Sequence, residues 1–120
     1  MTGEQKRGAT SWDEVVTAGV ALPEVQESTS YRTPALKVAG SLMARLRSDD
    51  DGSVMFRCAA EEKAAFLAEG EPFFTTAHYD GHDSVLVRLE QLPPDRLAEL
   101  VEGAWWVAAP SRLRAAGTGR

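Results

Sequence analysis

Residues 28–60 read STSYRTPALKVAGSLMARLRSDDDGSVMFRCAA, and the period of this stretch decides the fold class. Leu36 and Val38 alternate with Ala35, Lys37 and Ala39; Leu42, Ala44 and Leu46 alternate with Met43, Arg45 and Arg47; Val54, Phe56 and Cys58 alternate with Met55 and Arg57. A period of two puts one set of side chains on each face of a pleated strand, so the stretch predicts a strand meander with its aliphatic set toward a core. Gly40 supplies the positive φ of a tight connection, and Ser48 to Gly52, SDDDG, reads as a polar hairpin loop closed by its glycine. Its three aspartates are consecutive, unlike the alternating ligands and terminal Glu of an EF-hand loop.

Upstream, SWDEVVTAGVALPEV opens with a capping box, Ser11 and Glu14. Trp12, Val15, Val16, Gly19 and Val20 follow at helical spacing, and Pro23 stops the run, which predicts a helix from Trp12 to Leu22. Downstream, AAEEKAAFLAEGEP reads as a short helix with acids in its first turn and Gly70 and Pro72 at its end, Phe66 and Leu67 facing the core. FFTTAHYDGHDSVLVRLE, Phe73 to Glu90, predicts strands at Phe73–Thr76 and Ser84–Leu89 around a polar loop. Pro93-Pro94-Asp95 then starts a helix with Leu97, Leu100, Val101, Ala104, Trp105 and Ala108 on one stripe, ended by Pro110.

The predicted order is helix, strand meander, helix, two strands, helix. Without βαβ alternation this is an α+β fold with a largely antiparallel sheet. The expected organisation is one domain over 11–115, a loose leader over 1–10 and a loose tail over 116–120. A chain of 120 residues buries roughly two-thirds of its unfolded surface, enough for a core.

Composition narrows the function classes. At 43% hydrophobic and 26% charged the chain is ordinary for a globular protein, and no apolar run approaches the ~20 residues of a membrane span. The leader MTGEQKRGAT has no apolar stretch behind it, so a cytoplasmic location is expected. Cys58 is the only cysteine, which excludes an internal disulfide and a cysteine-based zinc site; it reads as an inert, half-buried packing residue. The net charge of −5 argues against coating nucleic acid by bulk electrostatics, so an anionic partner has to meet a local basic surface.

The strands supply such a surface. Opposite the aliphatic set, Lys37, Arg45, Arg47 and Arg57 share a face, Arg88 joins from the last strand, and Arg32 lies at the rim. Forked guanidiniums suit phosphate and guanine, making DNA the first expected partner; the competing reading is a solvated strand face. The second expected partner is a small aromatic ligand, a drug or metabolite, held between sheet and helices by Tyr31, Phe74, His78, Tyr79 and Trp106. Trp106 lies off the apolar stripe, placed to stack on a base or ligand, to pack under SRLRAA, or to pack across a dimer contact.

Catalysis has thin support. His78 and His82 stand four apart, a metal spacing on a helix, but in a β loop that spacing is not expected to bring two imidazoles together. No nucleophile elbow, phosphate-binding loop or dinucleotide fingerprint occurs, so no catalytic set, cofactor or metal is expected.

The landmarks taken together resemble one family. Leu22-Pro23 ends the first helix, Tyr31 to Val38 carries an aromatic-x-x-Pro-Ala-hydrophobic-Lys-Val run, His78-Tyr79-x-Gly81 leads into Val85–Leu89, and Ala104-Trp105 precedes Pro110-x-Arg112-Leu113. This succession is similar to the MmcQ/YjbR-like family of small bacterial proteins. The resemblance implies a double-wing α+β fold, related in shape to DNA-binding domains, and a DNA-binding or regulatory role; it transfers no catalytic set. The chain departs from the family at Arg32, where glycine is usual, and at Asp83, where proline is common.

Overall fold

A computed structural model describes residues 10–47 and 52–116. Most of the leader, Ser48 to Asp51 of the expected hairpin loop, and residues 117–120 lie outside the described residues. The elements are α1 (Trp12–Val20), β1 (Val25–Ser30), β2 (Thr33–Val38), β3 (Ser41–Leu46), β4 (Ser53–Arg57), α2 (Ala60–Glu69), β5 (Phe73–Phe74), β6 (Ser84–Arg88), α3 (Leu97–Ala108) and α4 (Ser111–Ala116). The strands form one antiparallel sheet in the order β1-β2-β3-β4-β6-β5. The fold is α+β, as the change of period predicts.

α1 begins where the capping box places it, with Ser11 Oγ accepting from the Glu14 backbone N–H. It closes down on the sheet through Gly19, where an added Cβ would come within 2.5 Å of Leu36 Cδ1. Thr10, at the end of the expected leader, is buried: its N–H donates to Leu89 O and its hydroxyl to Leu92 O.

The core lies between the helices and one face of the sheet, filled by Leu36, Val38, Met43, Ala44, Val54, Phe56, Val85 and Val87 from the strands. Val15, Leu100, Val101, Ala104 and Trp105 meet them from α1 and α3.

Two local features depart from the simple alternation. β1 was not expected: in VQESTS only Val25 is apolar and only Val25 is buried, because an edge strand needs just one anchor on the core. In β3 the pairing runs Leu36 with Ala44 and then Lys37 with Leu42, so Met43 is an extra residue, a β-bulge. The bulge turns Met43 into the core with Ala44, and Leu42, expected inside, moves to the opposite face.

Candidate functional site

The face of the sheet away from α1 and α3 carries the basic set. Register places Ala35 and Lys37 of β2, Leu42 and Arg45 of β3, Met55 and Arg57 of β4, and Ser84 and Arg88 of β6 on it. The expected stripe exists, but its members have different surroundings. Lys37 faces a separate groove with Glu24 and Glu27, and Arg32 is exposed at the apex of the β1–β2 hairpin. Arg88 reaches Glu71 at 3.6 Å.

The remaining arginines are interleaved with rings. The Arg45 guanidinium lies 5.2 Å from the Tyr31 ring centroid, and its Nη2 donates to Tyr79 Oη at 2.7 Å. That of Arg47 lies 5.8 Å from the Tyr79 ring and 6.0 Å from the Phe74 ring, and that of Arg88 sits 4.3 Å from the Phe74 centroid. Cation and ring thus alternate from Tyr31 across the sheet to Arg88, each guanidinium attracted to the negative face of a π system.

At one end of this ladder a concavity of about 500 Å³ opens. Leu42, Met55, Arg45 and Arg57 line it from the sheet, Tyr31 from the hairpin, and His78, Tyr79, His82 and Asp83 from the loop before β6. Arg45 also donates to Thr33 Oγ1, and Arg57 to the carbonyl of Leu42. Among the described residues, neither guanidinium forms an ion pair, and their hydrogen-bond partners are neutral.

The loop that walls this concavity is a succession of turns, with backbone bonds from Tyr79 N to Thr76 O, Asp80 N to Ala77 O and His82 N to Tyr79 O. This winding brings His78 and His82 together after all, their rings stacked at 5.6 Å, with Tyr79 edge-on to both. Among the described residues no three metal-ligating side chains gather.

The expected ligand pocket between sheet and helices is occupied by the core; the concavity lies on the opposite face. Tyr31, His78 and Tyr79 line it, Phe74 belongs to the ladder beside it, and Trp106 is remote from it. Trp106 packs instead under α4, with the Arg114 guanidinium 5.8 Å from its ring.

Lys63 of α2 was not foreseen. It is only 8% exposed, and its Nζ donates to the carbonyls of Tyr79, Asp80 and His82 at 2.7, 3.2 and 2.7 Å, clamping the loop. A signal was present: Lys63 is the one cation in this helix, three and four residues before Phe66 and Leu67, on the side that turns inward.

A family model described as YjbR matches residues 20–107. The chain belongs to the YjbR family. It is 30% identical over 118 residues to Uncharacterized protein Rv2570 of Mycobacterium tuberculosis and to Uncharacterized protein Mb2600 of Mycobacterium bovis, covering 86% of this chain and 92% of each relative. Among solved structures it is similar to Deinococcus radiodurans protein DR2400, family-model domain DUF419, with a TM-score of 0.71 at 17% identity over 96% of this chain and 86% of that one. That likeness confirms the fold expected of a YjbR-like chain.

Within this YjbR domain Cys58 is buried, and burial pushes its thiol up to about 12, with the nearby Glu62 carboxylate acting in the same direction. At pH 8 the thiolate is therefore scarce in the folded chain. Ellman's reagent is expected to leave Cys58 unmodified in native buffer and to titrate one thiol in denaturant; rapid native labelling would contradict its packing role. No helix among the described residues is long and apolar enough to cross a membrane.

Proposed function

We propose that this YjbR-family chain is a binding protein that takes a small anionic ligand in the concavity on the open face of its sheet. The supporting observation is the convergence of Arg45 and Arg57 on one hollow with neutral partners only. Among the described residues neither half-buried guanidinium is ion-paired, although the Asp83 carboxylate lines the same hollow, and a bound anion supplies a counter-charge at the two arginines. The two arginines are diagonal neighbours, since Arg45 pairs with Met55 and Arg57 lies two residues further along β4. That spacing, about 7–8 Å, lets a single oxyanion group accept from both forks.

Binding to the native state raises thermal stability in proportion to ligand excess. Inorganic phosphate, pyrophosphate and small carboxylates are expected to raise the melting temperature above a chloride control of equal ionic strength. No shift from any anion would remove the reading.

Duplex DNA along the same face is the second reading. It is supported by the alignment of Lys37, Arg45, Arg57 and Arg88 across four strands, with Arg32 at the hairpin tip. It requires affinity that falls steeply with salt, and amide shifts spread over all four strands rather than confined to the concavity. A regulatory role would follow from that outcome.

A further inference from the structure

The hairpin apex carries a feature that an anion site alone does not require. Tyr31 and Arg32, the two central residues of the β1–β2 turn, have φ of 54° and 68°. That left-handed region suits glycine or asparagine at such turns, and a bulky residue there is an outlier. The turn is enforced from both sides, by the Ser30–Thr33 pairing and by the Thr33 hydroxyl donating to Ser30 O at 2.9 Å. Its product is a tyrosine 84% exposed to solvent that nevertheless lines the concavity. Backbone strain of this kind gathers where a side chain must be presented to a ligand.

The rest of the hollow has a matching division. Leu42 and Met55 give it an apolar floor, Arg45 and Arg57 its positive charge, and the Ser84 hydroxyl and the Asp83 carboxylate complete its lining. Its volume of about 500 Å³ is far more than a lone oxyanion fills and falls in the range of small-molecule pockets.

Resting on the anion-site reading above, we propose that the ligand joins a planar heteroaromatic ring to a phosphate. The ring stacks on Tyr31 over the Leu42 and Met55 floor, and the phosphate lies between Arg45 and Arg57. This chemistry is that of a nucleotide, free or within a single strand.

The test is a calorimetric titration of the full chain with adenosine monophosphate, adenosine, inorganic phosphate and hexa-adenylate, repeated on Tyr31→Ala and Tyr31→Phe. Stacking of one base on an aromatic side chain makes adenosine monophosphate at least about fivefold tighter than phosphate. Tyr31→Ala is expected to erase that advantage, lowering monophosphate affinity far more than phosphate affinity, whereas Tyr31→Phe, which keeps the ring beside Arg45, keeps it. Hexa-adenylate tighter than the monophosphate identifies a strand as the source, and equal affinity identifies a free nucleotide; both support the ring-plus-phosphate assignment.

Equal binding of phosphate and monophosphate, or no effect of Tyr31→Ala, overturns this proposal while leaving the anion site standing. Absence of binding by both phosphate and monophosphate overturns the anion site itself, and this proposal with it. Because Tyr31 is exposed, its replacement leaves the core intact, and an unchanged melting temperature without ligand checks this.

Discussion

Lys63→Met is expected to lower unfolding free energy by about 2–3 kcal/mol, because one buried ammonium carries three hydrogen bonds and a bond to a charged group contributes roughly 1.5–3 kcal/mol net, less when several share one donor group. Water takes over part of that role in the variant, since the wall it faces is a surface loop, so the full sum is not reached. Methionine keeps the length and apolar stem of the side chain, which isolates the loss of the donor. Urea denaturation reads the effect as a lower midpoint at unchanged slope. The same variant is expected to weaken ligand binding several-fold at temperatures where it remains folded, since Tyr79 and His82 hang from the carbonyls that Lys63 holds. An unchanged midpoint would mean that the turns of residues 76–82 stand without their clamp.

Arg45→Glu combined with Arg57→Glu is expected to reduce anion affinity by at least about a hundredfold, the equivalent of two charge-assisted hydrogen bonds at the lower end of their range. Arg45 also holds the Tyr79 hydroxyl, so Arg45→Met with Arg57→Met is the gentler companion. It removes the charge without adding repulsion and should lose affinity by a smaller factor; because methionine also drops the bonds to Tyr79, Thr33 and the Leu42 carbonyl, the melting temperature is measured alongside to separate lost stability from lost affinity. If duplex DNA is the partner, the same pair of replacements reduces the slope of log affinity against log salt by about two units, one for each phosphate contact. Retained affinity in both double variants would mean that ligand and concavity have been wrongly joined.

The architecture was legible wherever burial and period agreed. The capping box at Ser11 marks a helix start, and the alternation of Leu36 with Val38 and of Val54 with Phe56 and the stripe from Leu97 to Ala108 mark apolar faces; each appears where those signals place it. β1 escaped because an edge strand with one buried residue leaves almost no apolar record. The bulge at Met43 escaped because an inserted residue is a statement about the partner strand, not about its own neighbours. The site was legible by residue type but not by grouping. Arginines and aromatic residues could be named separately as two surfaces. Their merger on one face depends on the turns that carry Tyr79 back over β3, and on a lysine from a different helix.

The alternation of guanidinium and ring from Tyr31 to Arg88 also bears on the thermodynamics of recognition. An arginine free in solvent loses several rotatable bonds when it grips a ligand, and that lost freedom is subtracted from affinity. Here Arg45 is already held by Thr33, Tyr79 and the Tyr31 ring, and Arg57 by the Leu42 carbonyl. Their rotamers are selected before a ligand arrives. A ligand therefore meets a surface whose ordering entropy was spent during folding, and the bound and free forms are expected to differ little in the positions of these side chains.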